Sequence, residues 1–187
     1  MTDTKTALLR SAERAARTKG FDGFSYADLA ADVGIRKASI HHHFPAKADL
    51  TLAVMQRYHV AFAETCDRID AAHTTGGARL HALIAAYRSA LGNGEMVCLC
   101  VAFSISRDHI TTDVRAAMGD FRQMMLEWLT ATFTRGNGDG TIAQVADPAA
   151  EARAALALLE GAQLAARTQA DPTAFDAALA LMSSRLG

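Results

Sequence analysis

The chain has 187 residues, about half of them hydrophobic, and nineteen lysines and arginines against twenty aspartates and glutamates leave a net charge of −1. That length buries a substantial core in one or two domains; alanine and leucine dominate, only three prolines occur, and no strand-type alternation persists, which excludes a β fold and predicts an all-α protein. Residues 1–6 are polar and lack the apolar core of an export signal, and no run approaches the roughly eighteen apolar residues of a membrane span, so a cytoplasmic protein without membrane contact is expected.

In chain order, residues 5–19 read as an amphipathic helix, apolar at Leu8, Leu9, Ala12, Ala15 and Ala16, polar at Arg10, Arg14, Arg17 and Lys19, and closed by Gly20. Phe21 and Phe24 anchor the connection that follows. Residues 25–44 hold two short helical patterns that meet across Gly34. Ser25 and Asp28 form a carboxylate variant of the capping box, and Leu29, Ala30 and Val33 make one apolar face. Gly34 supplies the left-handed turn residue. Ile35 re-enters the core, then Ile40 and Phe44 point inward at a spacing of four while Lys37, Ser39, His41 and His42 are left outside. This is the pattern of a helix-turn-helix, whose inward residues hold the unit and whose outward ones read DNA. Pro45 stops the second helix before a fourth begins near Ala46. Residues 1–47 carry eight basic against five acidic side chains, a net +3, so the remainder carries −4. The sign suits a head that meets phosphates.

The arrangement Gly-Phe-x-Gly-Phe-Ser-x-x-x-Leu-Ala-x-x-Val-Gly-Ile-x-Lys-x-Ser-Ile-x-x-His-Phe-Pro-x-Lys-x-x-Leu, residues 20–50, resembles the head of a TetR-family transcriptional regulator. The resemblance implies an all-helical homodimer, with residues 1–47 as a helix-turn-helix DNA-binding domain and 48–187 as a ligand-binding and dimerisation body. It also implies a palindromic operator in double-stranded DNA, released by a small-molecule inducer, with repression as the default. Carried over by position, Arg36, Lys37, Ala38, Ser39, His41 and His42 would face the major groove or its flanking phosphates, and Lys47 would contact a phosphate. Arg36 stands where a small capping residue is common in the family, and His41 where a tyrosine is common. Ala38 offers only a methyl contact to thymine.

Further along, the fourth helix carries an apolar stripe through Leu50, Val54, Tyr58 and Phe62 and fades at the glycine pair Gly76-Gly77, read as a joint. A fifth helix is expected from about Ala78 to Leu91, and the apolar run Met96 to Phe103 reads as a buried helix. Thr112 and Asp113 cap a long helix through about Thr134, after which the glycine-rich residues 136–140 break the chain. Asp147-Pro148 and Asp171-Pro172 each place a cap before a proline, defining helices over 148–169 and 172–186. The first of these is apolar almost all round, with small residues at Ala154, Ala157, Gly161 and Ala165. The helices over 112–134 and 148–169 are therefore expected to pair with their copies in a second subunit.

Three cysteines remain. Cys98 and Cys100, two apart, point about 200 degrees from each other on a helix, which disfavours both a shared metal and a disulfide. As buried reduced thiols they would act as small apolar side chains. The segments beginning at Cys98, Asp113 and Leu159 are also similar to the bodies of electrophile- and oxidant-sensing TetR-family repressors of the NemR type. That resemblance makes Cys98 a candidate redox sensor, with Arg167 at the place of an assisting lysine. The tract His41-His42-His43 fans out by about 100 degrees per residue and lacks acidic or cysteine partners, so no metal and no cofactor is expected. His43 is expected to pack within the head. Candidate inducer-lining residues are Phe62, Tyr87, Met96, Cys98, Phe103, Met124, Trp128 and Gln163, soft and aromatic types that serve equally as core. No nucleophile with a base, carboxylate pair or phosphate loop supports an enzyme. A helical dimeric adaptor is the alternative; it leaves the exposed lysine and histidines of the second short helix unexplained.

Overall fold

A computed structural model of the chain describes residues 4–106 and 109–187. Among these residues the fold is all-α: α1 (Thr4–Lys19), α2 (Tyr26–Val33), α3 (Lys37–His43), α4 (Lys47–Ala72), α5 (Gly76–Ser89), α6 (Leu99–Ser104), α7 (Thr112–Asp139), α8 (Pro148–Gln169) and α9 (Thr173–Ser183). Among the described residues, extended pairing is limited to a single bridge between Ile142 and Leu186. No helix among the described residues is long and apolar enough to cross a membrane.

The chain divides into two compact units, the described residues of 1–60 with 98–120, and 61–97 with 121–187. In the first unit, α1 packs on α2 and on α6. Its core comprises Leu8, Ala12, Ala16, Leu29, Ile40, Leu50, Val54, Phe103 and Val114, with the Phe21 and Phe103 rings edge-on at 6.1 Å. Charged contacts cross between its helices. Arg57 of α4 reaches Glu13 of α1 at 2.7 Å. Ser11 and Arg14 of α1 both engage the Asp32 carboxylate of α2, Arg14 through two contacts at 2.6 and 2.9 Å.

In the second unit α8 packs on α9, and α5 meets α9. Leu80, Leu83 and Tyr87 of α5, Phe121, Met125, Leu129 and Phe133 of α7, Leu156 and Leu159 of α8, and Phe175 and Leu179 of α9 are buried. Asp147 caps α8 by accepting from the Ala149 and Ala150 amides, with Pro148 in the first turn. The other end of α8 closes on Ala170 at φ 50°, a left-handed position occupied by a residue that has a Cβ.

Four expectations about element limits are corrected. The glycine pair is the first turn of α5, capped by Thr75, rather than a joint before it. α7 does not break at Gly136 but continues to Asp139, ending where Gly140 turns left-handed at φ 75°. Both corrections share one cause. A Cβ on Gly76 would overlap the Gly136 backbone, and one on Gly136 would overlap the Ile142 side chain, so these glycines sit inside helices because helices cross there. The Gly76 and Gly77 amides complete the contact, donating to Asp139 Oδ2 at 2.9 Å and Thr141 Oγ1 at 2.7 Å. Third, the run from Met96 is helical only from Leu99, with Cys98 at the N-cap position. Fourth, α9 starts one residue after Pro172, where Asp171 accepts from the Thr173 amide at 2.8 Å, and ends at Ser183 because Arg185 and Leu186 turn back toward residues 142–144.

Candidate nucleic-acid interface

The interface is built from α2, α3 and the turns that flank them. The Ser25 amide donates to Asp28 Oδ2 at 2.7 Å and the Ser25 hydroxyl accepts from the Asp28 amide at 3.4 Å, which completes the capping box. Those Ser25 contacts hold the Asp28 carboxyl below the usual carboxylate range. Gly34, at φ 73°, returns its amide to the Ala30 carbonyl at 3.0 Å and ends α2. A side chain at that φ would be strained, so glycine is required for α3 to leave in its new direction.

α3 is held from within. Ile40 is fully buried and Phe44 is buried, while the Tyr26 hydroxyl of α2 donates to the Phe44 carbonyl at 3.0 Å. Burial pushes the Tyr26 phenol up to about 12, so it stays protonated as a donor. Outward, Arg36, Lys37, Ala38, His41 and His42 are exposed and Ser39 is half-buried. Arg36 occupies the N-cap position without a side-chain cap, the consequence of a residue there that lacks a short acceptor. His41 lies with its ring 4.9 Å from that of Tyr26 and Nδ1 3.3 Å from the Pro45 carbonyl. A carbonyl only accepts, so Nδ1 carries the proton in that contact and Nε2 is left for another partner. His43, expected to pack inside the head, is exposed, with its ring centroid 5.5 Å from that of the neighbouring His42. Phe44, at the extended C-cap that follows α3, takes the core position together with Ile40, and His43 is left exposed.

Lys47, assigned to a phosphate on resemblance, has inward partners. Its ammonium donates to the Phe21 carbonyl at 2.5 Å and the Phe24 carbonyl at 2.7 Å, and lies 4.5 and 4.2 Å from the centroids of those two rings. Burial draws its pKa below the ordinary lysine value, opposed by Asp22 and Asp28. Sequence patterns also missed Asp32, whose carboxyl is held low by Ser11 and then Arg14. Neither contact has a local signature, since the partners lie eighteen to twenty-six positions apart.

The candidate inducer residues fall in both units. In the second, Phe62 meets Tyr87 and Phe121 edge-on at 5.5 Å each, Gln163 is buried, and the Trp128 indole donates to Asp70 at 3.2 Å. Met96 and Met124 are half-buried there. In the first, Phe103 is buried, and Cys98 is buried with the Tyr58 hydroxyl 3.6 Å from its sulfur. Cys66 is also buried, and burial, reinforced by Asp70 and Asp67, pushes its thiol up to about 12, which leaves it unreactive as a thiolate. A surface groove of about 910 Å³ on the second unit, lined by Arg79, Leu126, Thr130, Arg135 and Arg153 among others, includes none of the eight candidates.

A glycine-turned helix pair with a polar, exposed second helix on an all-α scaffold defines a helix-turn-helix DNA-binding regulator. The chain belongs to the TetR family of bacterial regulatory proteins, whose N-terminal family model matches residues 8–54, and the tetracyclin repressor-like C-terminal domain model matches residues 76–182. It is 24% identical over 170 residues to the HTH-type transcriptional repressor NemR of Escherichia coli (strain K12), covering 88% of this chain and 84% of that protein. A TetR-family transcriptional regulator from Agrobacterium tumefaciens superposes with a TM-score of 0.92 at 27% identity, covering 98% of this chain and 97% of its own. The reduced form of E. coli NemR shares the fold with a TM-score of 0.82 at 22% identity, over 99% and 97% of the two chains.

Proposed function

We propose that the protein is a homodimeric, cytoplasmic repressor that binds a palindromic operator through α3 and leaves it when a small hydrophobic or electrophilic inducer engages the body. The observation that carries this reading is how α3 is anchored and presented: Ile40 has no exposure, while Lys37, Ala38, His41, His42 and His43 of the helix and Arg36 at its N-cap are all exposed. In this reading residues 1–47 form the DNA-binding domain and 48–187 the ligand-binding and dimerisation body. Lys37 and Arg36 supply phosphate or guanine contacts, His41 and His42 present ring nitrogens, Ser39 a hydroxyl and Ala38 a methyl group.

Dimerisation through α7 and α8 is supported by the outer face of α8. Ala154, Ala157, Gly161 and Leu164 are exposed there, and a Cβ on Gly161 would meet nothing within 4 Å. Small residues on an exposed helix face permit close approach of a second helix, and two-fold symmetry matches a palindrome. Phe62, Tyr87, Met96, Met124, Trp128 and Gln163 are the residues proposed to meet an inducer in the second unit, with Phe103 and the oxidisable Cys98 as a separate responsive group in the first.

Selection of bound duplexes from a random DNA pool tests the core of this reading, with enrichment of an inverted repeat as the expected result. No enrichment would sink it. Repeating the selection after treatment with a quinone or aldehyde tests the inducer class, and wild-type protein and Cys98→Ser responding alike would remove Cys98 from the mechanism.

A further inference from the structure

We propose that Lys47 is a positioning residue for DNA binding, a clamp that seats the α1–α2 turn on the first turn of α4 and thereby fixes the frame in which α3 is presented. The inference rests on the head binding DNA as proposed above. Lys47 opens α4, and its ammonium is enclosed by two main-chain carbonyls and two aromatic rings, all from Phe21 and Phe24. An ammonium has three N–H donors, so two are directed into the head. Both rings are buried, at 8% and 6% exposure, and their negative faces suit a cation.

The turn is shaped to converge on this point. A Cβ on Gly23 would overlap the Lys19 carbonyl, so only glycine lets the chain fold tightly enough to bring the carbonyls on either side of residues 22–23 to one cation. Directly after this turn comes Ser25, which starts α2. At the other end, Tyr26 ties α2 to the Phe44 carbonyl at the close of α3, and Ala46 donates to Asp49 at 2.9 Å as α4 begins. The path from the turn through α2 and α3 to α4 is thus a loop closed at its base by Lys47. Opening that closure frees α3 to tilt, which degrades registered contacts with base edges.

Arginine separates this role from a phosphate contact. A planar guanidinium keeps the charge and binds phosphate well, but it cannot replace a compact ammonium between two carbonyls and two rings. The test titrates wild type, Lys47→Arg and Lys47→Met on the selected operator and on an unrelated duplex across a salt series, at a temperature where circular dichroism shows each fully helical. Both variants should lose operator affinity by about tenfold or more, with a lower operator-to-unrelated ratio and an unchanged slope of log affinity on log salt. Lys47→Arg binding like wild type, with Lys47→Met flattening the slope by about 0.9 per subunit, would overturn the clamp in favour of a phosphate contact. Wild-type affinity and ratio in both variants would overturn it as well. If Lys47→Met does not fold, Lys47→Arg decides alone. Failure of the wild type to bind any duplex strikes the DNA-binding reading itself and is distinguishable from all of these.

Discussion

Lys37 and His42 are exposed on α3 while its anchors Ile40 and Phe44 are buried, so replacing them leaves the core intact. Lys37→Ala and His42→Ala are therefore expected to fold normally and to change which operator variants are preferred. The cost is about 1–3 kcal/mol at the base each side chain reads, measured by binding to single-base operator variants. Equal losses on every sequence would defeat that assignment. Acid sensitivity of the head is also a matter of single residues. Asp22, Asp28 and Asp32 titrate below the ordinary carboxylate value, through His109 and Ser106, through Ser25, and through Ser11 with Arg14 respectively. A depressed folded pKa contributes stability that is complete above the unfolded value, about 4, and is lost as pH falls through the folded one. Melting temperature should decline below about pH 4, and Asp32→Asn should blunt the decline.

Elements were legible wherever their signals are local. The Ser25–Asp28 box, Gly34, the Asp147-Pro148 start and the inward pair Ile40 and Phe44 are patterns a few residues long, and each settles a boundary or a face without help from the rest of the chain. The limits of α5 and α7 were not legible, because a helical glycine and a helix-ending glycine read alike until the crossing partner is known. The same gap hid Lys47 and Asp32, whose partners are remote in sequence, and left the inducer residues unseparated from plain core. α7 offers a direct check on this physics. At Gly136 the Ile142 side chain occupies the space of a Cβ, whereas at Gly138 nothing lies within 4 Å. Overpacking of about 1–3 kcal/mol outweighs the roughly 0.5–1 kcal/mol that alanine gains over glycine in a helix. Gly136→Ala should lower the midpoint of urea unfolding and Gly138→Ala should raise it; movement in the same direction would contradict the crossing.

At the scale of the whole molecule, the proposed dimer makes Leu164 the informative position, since it is 41% exposed on α8 within a stripe of small residues. Leu164→Glu should weaken self-association by about tenfold or more, read by sedimentation velocity, and should weaken operator binding in parallel while the protomer keeps its helicity. An unchanged sedimentation coefficient at all concentrations would place the interface elsewhere.

The bonds that hold α3 come from Ile40, Phe44, Tyr26 and the His41–Pro45 contact, and none of them uses the side chains of residues 36–38 or 42. Those positions form an interchangeable cassette. If these side chains read the operator as proposed, descendants of this chain could acquire new regulatory targets by point changes there with little toll on foldedness, whereas a change at His41 would alter vocabulary and scaffold together and be the slower route to a new target.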